Sequence, residues 1–130
     1  MSLVAVLSGR VPPGAYRWRG SYDVADARHT VEHAGWRFAY VDGVQVESVP
    51  ELHGALADAL DFHDHYGRNL DALHDCLRDV PAETVLLWDA WSPIARAEPR
   101  VFLTAVELLG EQITVLLRGD GPETDLPELD

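Results

Sequence analysis

The sequence predicts an α/β fold, with helices layered on a small, mostly parallel sheet. Three observations carry this. Apolar runs with strand character alternate along the chain with segments of helical periodicity. Two of those runs, TVLLWD at 84–89 and ITVLL at 113–117, are apolar without alternation, as strands covered on both faces are. The 130 residues suffice for one domain with a real hydrophobic core and no staples.

The elements follow in order. LVAVL near the start reads as a short strand. VPPG breaks the chain, because proline fixes φ and removes a donor. YRWRG alternates aromatic and cationic side chains, as an edge strand or a docked loop does. From Tyr22 to Ala34, Val24, Ala27, Val31 and Ala34 recur at helical spacing, with Ser21 or Asp23 as cap and Gly35 as stop. WRFAYVDG then has the alternation of a strand, with Trp36, Phe38 and Tyr40 on one face. Ser48 and Glu51 form a capping box for a helix whose buried stripe is Leu52, Ala55, Leu56, Ala59 and Leu60. DFHDHYG is the loop out, and a further helix runs from Leu70 to about Val80, closed by Pro81. After the strand 84–89, AWSPIARAEP is a loop or broken helix. PRVFLTAVELLGE is helical with Gly110 near its stop, and ITVLLRG is the last strand. The acidic, Pro-containing end is expected to be mobile.

Ten basic residues against twenty-two acidic ones give a net charge of −12. Such a surface repels nucleic acid and anionic membrane and draws basic partners. One cysteine, Cys76, excludes an internal disulfide. The opening MSLVAVLSGR lacks a basic n-region and its apolar run is too short for a signal peptide or a membrane span, so a cytoplasmic location is expected.

Function is most legible in HYGRNLDALHD at 65–75. Advancing about 100° per residue gathers Leu70, Leu73, Cys76, Leu77 and Val80 on one side of a helix. Asp71, Asp75 and Asp79 gather on the other, beside His74 and Arg78. Asn69 is placed to cap the first turn. Like charges four apart repel by a few tenths of a kcal/mol. A solvated acidic face is the plain explanation. Against it, the acids share one face, the preceding loop adds Asp61 and Asp64, and Tyr66 and Gly67 offer an aromatic contact and close backbone approach beside it.

The stretch YGRNLDALHDCLRD, between a Leu-rich helix and VLLWD, resembles the signature of the barstar family, intracellular protein inhibitors of secreted guanyl-specific ribonucleases. That signature is an aromatic, Gly, any residue, Asn, an apolar residue, Asp, Ala and Leu, met here by Tyr66 through Leu73. The resemblance runs from YVDGVQV to ITVLLRG. It implies a three-stranded parallel sheet packed with helices over residues 36–120. An N-terminal extension of some forty residues would then lie outside the family pattern, with 1–35 packing a short strand and helix on the core, and 121–130 would be an acidic flexible tail. It makes Asp75 the main anchor, seated where an RNA phosphate would sit in the nuclease, and Asp71 the second acidic contact. Gly67 and Asn69 fall at the rim with Tyr66. His65 and His74 stand where the best-known member has aromatics. A further glutamate contact falls to Glu107 or Glu111.

The resemblance therefore implies a binding protein, not an enzyme, with no cofactor or metal. It would be a monomer when free and form a 1:1 complex with a basic extracellular ribonuclease. Two alternatives stay open: an immunity or regulatory protein on the same fold for a different basic toxin or nuclease, and a small metal-dependent hydrolase using His63, His65 and nearby aspartates.

Overall fold

The computed structural model describes residues 2–130. Its centre is a five-stranded, all-parallel sheet in the order β2-β3-β4-β1-β5. The strands are β1 (Gly14–Trp18), β2 (Arg37–Asp42), β3 (Thr84–Asp89), β4 (Thr114–Arg118) and β5 (Glu128–Leu129). The helices are α1 (Leu3–Leu7), α2 (Val24–His33), α3 (Val49–Leu60), α4 (Leu70–Leu77), α5 (Ser92–Ala97) and α6 (Pro99–Gln112). No helix among the described residues is long and apolar enough to cross a membrane.

Side chains of a strand alternate between faces, and that alternation divides the interior into two cores. On one face Ala39, Val41, Leu86, Trp88, Val115 and Leu117 pack beneath α3, α4, α5 and α6. On the other, Phe38, Val85, Leu87, Leu116, Tyr16 and Trp18 pack beneath Leu3 and Val6 of α1 and Ala27 and Val31 of α2. The chain crosses the sheet one way under α2 and returns under α3 to α6, an arrangement in which every crossover keeps the same hand.

Several expectations need correction. The sheet has five strands, not three, because the N-terminal extension and the tail each contribute one. LVAVL is helix α1. Ser2 Oγ accepts from Ala5 N at 3.3 Å, and Leu3 and Val6, one turn apart, reach the core while Val4 points out. A run of five apolar residues carries no period that separates strand from helix. YRWRG falls largely within β1, which lies inside the sheet between β4 and β5, not at its edge. The tail is held at its end: Leu129 is 1 % exposed, Arg17 pairs with Glu128 and Trp18 with Leu129, and Trp18 Nε1 donates to Asp130 O at 3.0 Å. Two leucines in an acidic segment were too faint a signal to outweigh its composition.

Smaller differences concern helix ends. Asp23, not Ser21, caps α2, accepting from Asp26 N at 2.8 Å. The segment 92–97 is a full helix, and α6 runs two residues past Gly110. That glycine sits inside the helix because a Cβ there would lie 3.1 Å from Ala15 N of β1.

At the carboxyl ends of the strands, Asp89 receives Arg118 Nε at 2.6 Å, Arg118 Nη2 at 2.9 Å and Tyr40 Oη at 2.9 Å. Burial alone would raise the Asp89 pKa, but these hydrogen bonds outweigh it and hold the carboxyl below its usual range. Asp89 is therefore a tie between β2, β3 and β4. Arg118→Ala leaves this largely desolvated carboxylate without its cation and with only the Tyr40 hydrogen bond, with an expected loss of about 2–3 kcal/mol of stability, read from urea unfolding. In the parent chain the same contribution is present above pH 4 and lost as pH falls through the depressed Asp89 value.

Candidate functional site

Helix α4 is short and firmly seated. Asn69 Oδ1 accepts from Ala72 N at 2.8 Å, the expected cap, worth about 1 kcal/mol. Leu73 and Leu77 are buried and Leu70, Ala72 and Cys76 half-buried against the first core. Asp71, His74, Asp75 and Arg78 face solvent. The Asp75 side chain is 68 % exposed, with Arg78 Nη2 at 3.4 Å and His74 Nδ1 at 4.0 Å from Oδ1. An ion pair this exposed contributes about 0–1 kcal/mol and exchanges readily for another partner. Arg78 thus eases the repulsion between Asp71 and Asp75 without removing either carboxylate from the surface.

The loop before α4 is pinned from beneath. Tyr66 is buried, packs on Phe62 with ring centroids 4.9 Å apart, and shares a 2.5 Å hydrogen bond with His53 Nδ1 of α3. The structure therefore places Tyr66 under the candidate surface rather than on it. Gly67 does not adopt a left-handed backbone; its neighbour Arg68 does, at φ 53°. Gly67 is needed for closeness instead: a Cβ there would lie 3.2 Å from Ala72 Cβ in the first turn of α4. His63, Asp64, His65, Gly67, Arg68 and Asn69 are exposed.

Burial, with the Cys76 thiol nearby, pushes the Tyr66 hydroxyl up to about 12. Burial and then the Arg68 charge push the His53 imidazole down. The stability tied to neutral His53 is complete above the free-imidazole value near 6.5 and lost as pH falls through the lowered folded value. That tied to un-ionised Tyr66 holds below pH 10 and is lost as pH rises toward 12. Tyr66→Phe strands a buried His53 nitrogen, so unfolding experiments at pH 7 should show a loss of about 1–3 kcal/mol.

Asp71 borders a groove of about 300 Å³ with Val49, Leu70 and Val101 of α6. Glu107 and Glu111 are exposed but border a different groove, with Gly14 and Ala15 of β1 and Leu126 of the tail. The third acidic contact expected on α6 is therefore not gathered at the Asp71 groove.

Comparison with known proteins bears on this surface. A family model described as "Barstar (barnase inhibitor)" matches residues 36–120, close to two thirds of the chain. The chain belongs to the Barstar family. The Barstar match takes in β2, β3, β4 and α3 to α6, hence the whole of α4 and its loop; β1, α1, α2 and β5 lie outside it. A curated relative from Bacillus subtilis (strain 168), named "Putative ribonuclease inhibitor YrdF", is 53 % identical over 49 residues, covering 35 % of this chain and 54 % of that protein. The chain spans about half the length of the curated relative it matches.

No group of three His, Cys, Asp or Glu among the described residues is arranged to hold a metal. His63 Nε2 comes within 3.9 Å of Cys76 Sγ, but that is a pair. The Cys76 thiol is pushed up by burial and by Asp75 and Asp79, which disfavours the reactive thiolate. Trp88 and Trp91, flanking Asp89, are fully buried. What the sequence reading missed is the His53–Tyr66 pair. Its signal was there in a histidine on the apolar stripe of α3, next to Leu52 and one turn before Leu56 and Ala57.

Proposed function

We propose that this protein binds and inhibits a basic, secreted, guanyl-specific ribonuclease, one to one, by filling its active site with α4 and the loop before it. The observation that carries the reading is the pair of outward carboxylates, Asp71 and Asp75, on a capped and buried-face helix inside the Barstar match. A ribonuclease holds a polyanion, so its cleft is cationic. Carboxylates fixed where phosphates would lie exclude substrate, speed encounter through long-range attraction, and slow release once desolvated. The protein does no chemistry in this scheme and needs no cofactor. Protection of the cell that secretes the nuclease places it in the cytoplasm, as a monomer until it meets its target.

The test is titration of barnase activity on RNA with the purified protein. Inhibition saturating at one equivalent supports the reading. Full nuclease activity with micromolar protein present, and no complex by calorimetry, overturns it. The imidazoles at 65 and 74, standing where the best-known member has aromatics, favour a second reading: the same surface serves a different basic toxin. A tight complex with such a toxin and none with guanyl-specific ribonucleases would select it.

A further inference from the structure

We propose that acid switches the docking face off, with His63, His65 and His74 as the switch. This rests on the reading that α4 meets a cationic partner. Three of the six histidines of the chain are exposed around α4. His63 reaches Cys76 of the helix at 3.9 Å, His63 and His65 lie with ring centroids 6.2 Å apart, and His74 Nδ1 is 4.0 Å from Asp75 Oδ1. Around them stand five exposed carboxylates: Asp61 and Asp64 of the loop, and Asp71, Asp75 and Asp79 along α4 and its end. Three guanidinium groups oppose them: Arg37 of β2, 3.7 Å from Asp61, then Arg68, and Arg78, 3.4 Å from Asp75. From helix α6, Val101 lies beside Asp71, and Gln112 Nε2 donates to Val80 O at 2.7 Å.

Five carboxylates against three guanidinium groups leave this face at −2. Three imidazolium charges would take it to +1, so its sign reverses. Imidazole is the side chain that changes charge between pH 5 and 8 without special tuning. A cationic cleft opposes protonation of each ring it covers, so binding expels protons, and by linkage affinity falls as pH falls. Geometry adds to charge at His63. Its Nδ1 accepts from His65 N at 3.1 Å. An imidazolium has no free lone pair there, so protonating His63 ends that bond and loosens the loop beside α4.

The experiment measures Kd at pH 7.5 and 5.5, at fixed ionic strength, for the parent chain and for the triple variant His63→Gln, His65→Gln, His74→Gln. Barnase is the partner, and circular dichroism checks that each protein is folded at both pH values. For the parent chain, Kd should rise about 10- to 1,000-fold on acidification, the upper figure if all three rings must bind neutral. Titrating groups of barnase act alike on both proteins, so the ratio of Kd values isolates the switch. That ratio should shrink at least tenfold in the triple variant, whatever its affinity at pH 7.5. Equal ratios overturn the proposal, and the three single variants decide the matter if the triple does not fold. If barnase binds neither protein at pH 7.5, the ribonuclease reading itself falls. The same ratios taken with a deca-arginine peptide then judge the switch alone: a smaller ratio in the variant upholds it and equal ratios refute it.

Discussion

Asp75→Ala should weaken the proposed ribonuclease complex by about 2–5 kcal/mol, roughly 30- to 5,000-fold in Kd, a range drawn from measured complexes that include those of this family. The size follows from what the substitution leaves behind. Asp75 faces solvent in the free protein, so its loss costs the isolated fold little, within about 0.5 kcal/mol. In the proposed complex the cationic group that Asp75 would meet is left desolvated and unpaired. The effect therefore belongs in the dissociation rate, with a smaller loss in the association rate. Surface plasmon resonance separates the two, and urea unfolding confirms the unchanged stability. A parallel measurement on Arg78→Ala tells whether the internal ion pair competes with the partner. Removing a guanidinium 3.4 Å from Asp75 should leave affinity equal or slightly higher. Loss of affinity comparable to that of Asp75→Ala would mean that Arg78, not the carboxylate, is what the partner reads. Asp71 lies one turn away, and its effect should not simply add to that of Asp75, because neighbouring charges share partners.

How much of this was legible in the sequence depends on whether the signal was local. The register of α4 could be read because its cap, its apolar stripe and its outward acids all follow from spacing within a dozen residues. The strand 84–89 was legible because only a doubly covered strand tolerates Val, Leu, Leu and Trp in succession. Leu129 was not legible: its burial depends on β1 presenting Arg17 and Trp18 as pairing partners more than a hundred residues earlier in the chain. Tyr66 followed the family pattern, yet its place beneath the surface depends on His53, which lies in α3. Gly67 was read as offering close backbone approach beside the acidic face, and only the packing of the loop onto Ala72 shows what that closeness serves. Glu107 and Glu111 depend on how α6 is rotated about its axis. That rotation is set by Gly110 pressing against β1, a strand outside the Barstar match.

Removal of residues 1–35 should abolish the folded state, although the Barstar match begins only at residue 36. The extension is not an appendage. It supplies Leu3, Val6, Val11, Tyr16, Trp18, Ala27 and Val31, all at most 8 % exposed, and these roof the second face of the sheet. Without them Phe38, Val85, Leu87 and Leu116 face water. Each loses about 1.5–3 kcal/mol of burial, together on the order of 6–12 kcal/mol, against a total stability of about 5–15 kcal/mol for a domain this size. Deletion also strips β1 from between β4 and β5, leaving the β4 edge with unpaired backbone groups and β5 with no strand to join. The expected product is aggregated or molten, seen as loss of the cooperative urea transition and of near-ultraviolet dichroism. A truncated chain that unfolds cooperatively within about 2 kcal/mol of the full protein would show that the second core is dispensable. Deletion of residues 1–10 alone is the finer version. It removes Leu3 and Val6 but keeps β1 in the sheet, and should lower stability by about 3–6 kcal/mol without changing the strand order. Since Asp71 and Asp75 stand on the opposite side of the sheet, that shorter chain should still dock wherever it remains folded.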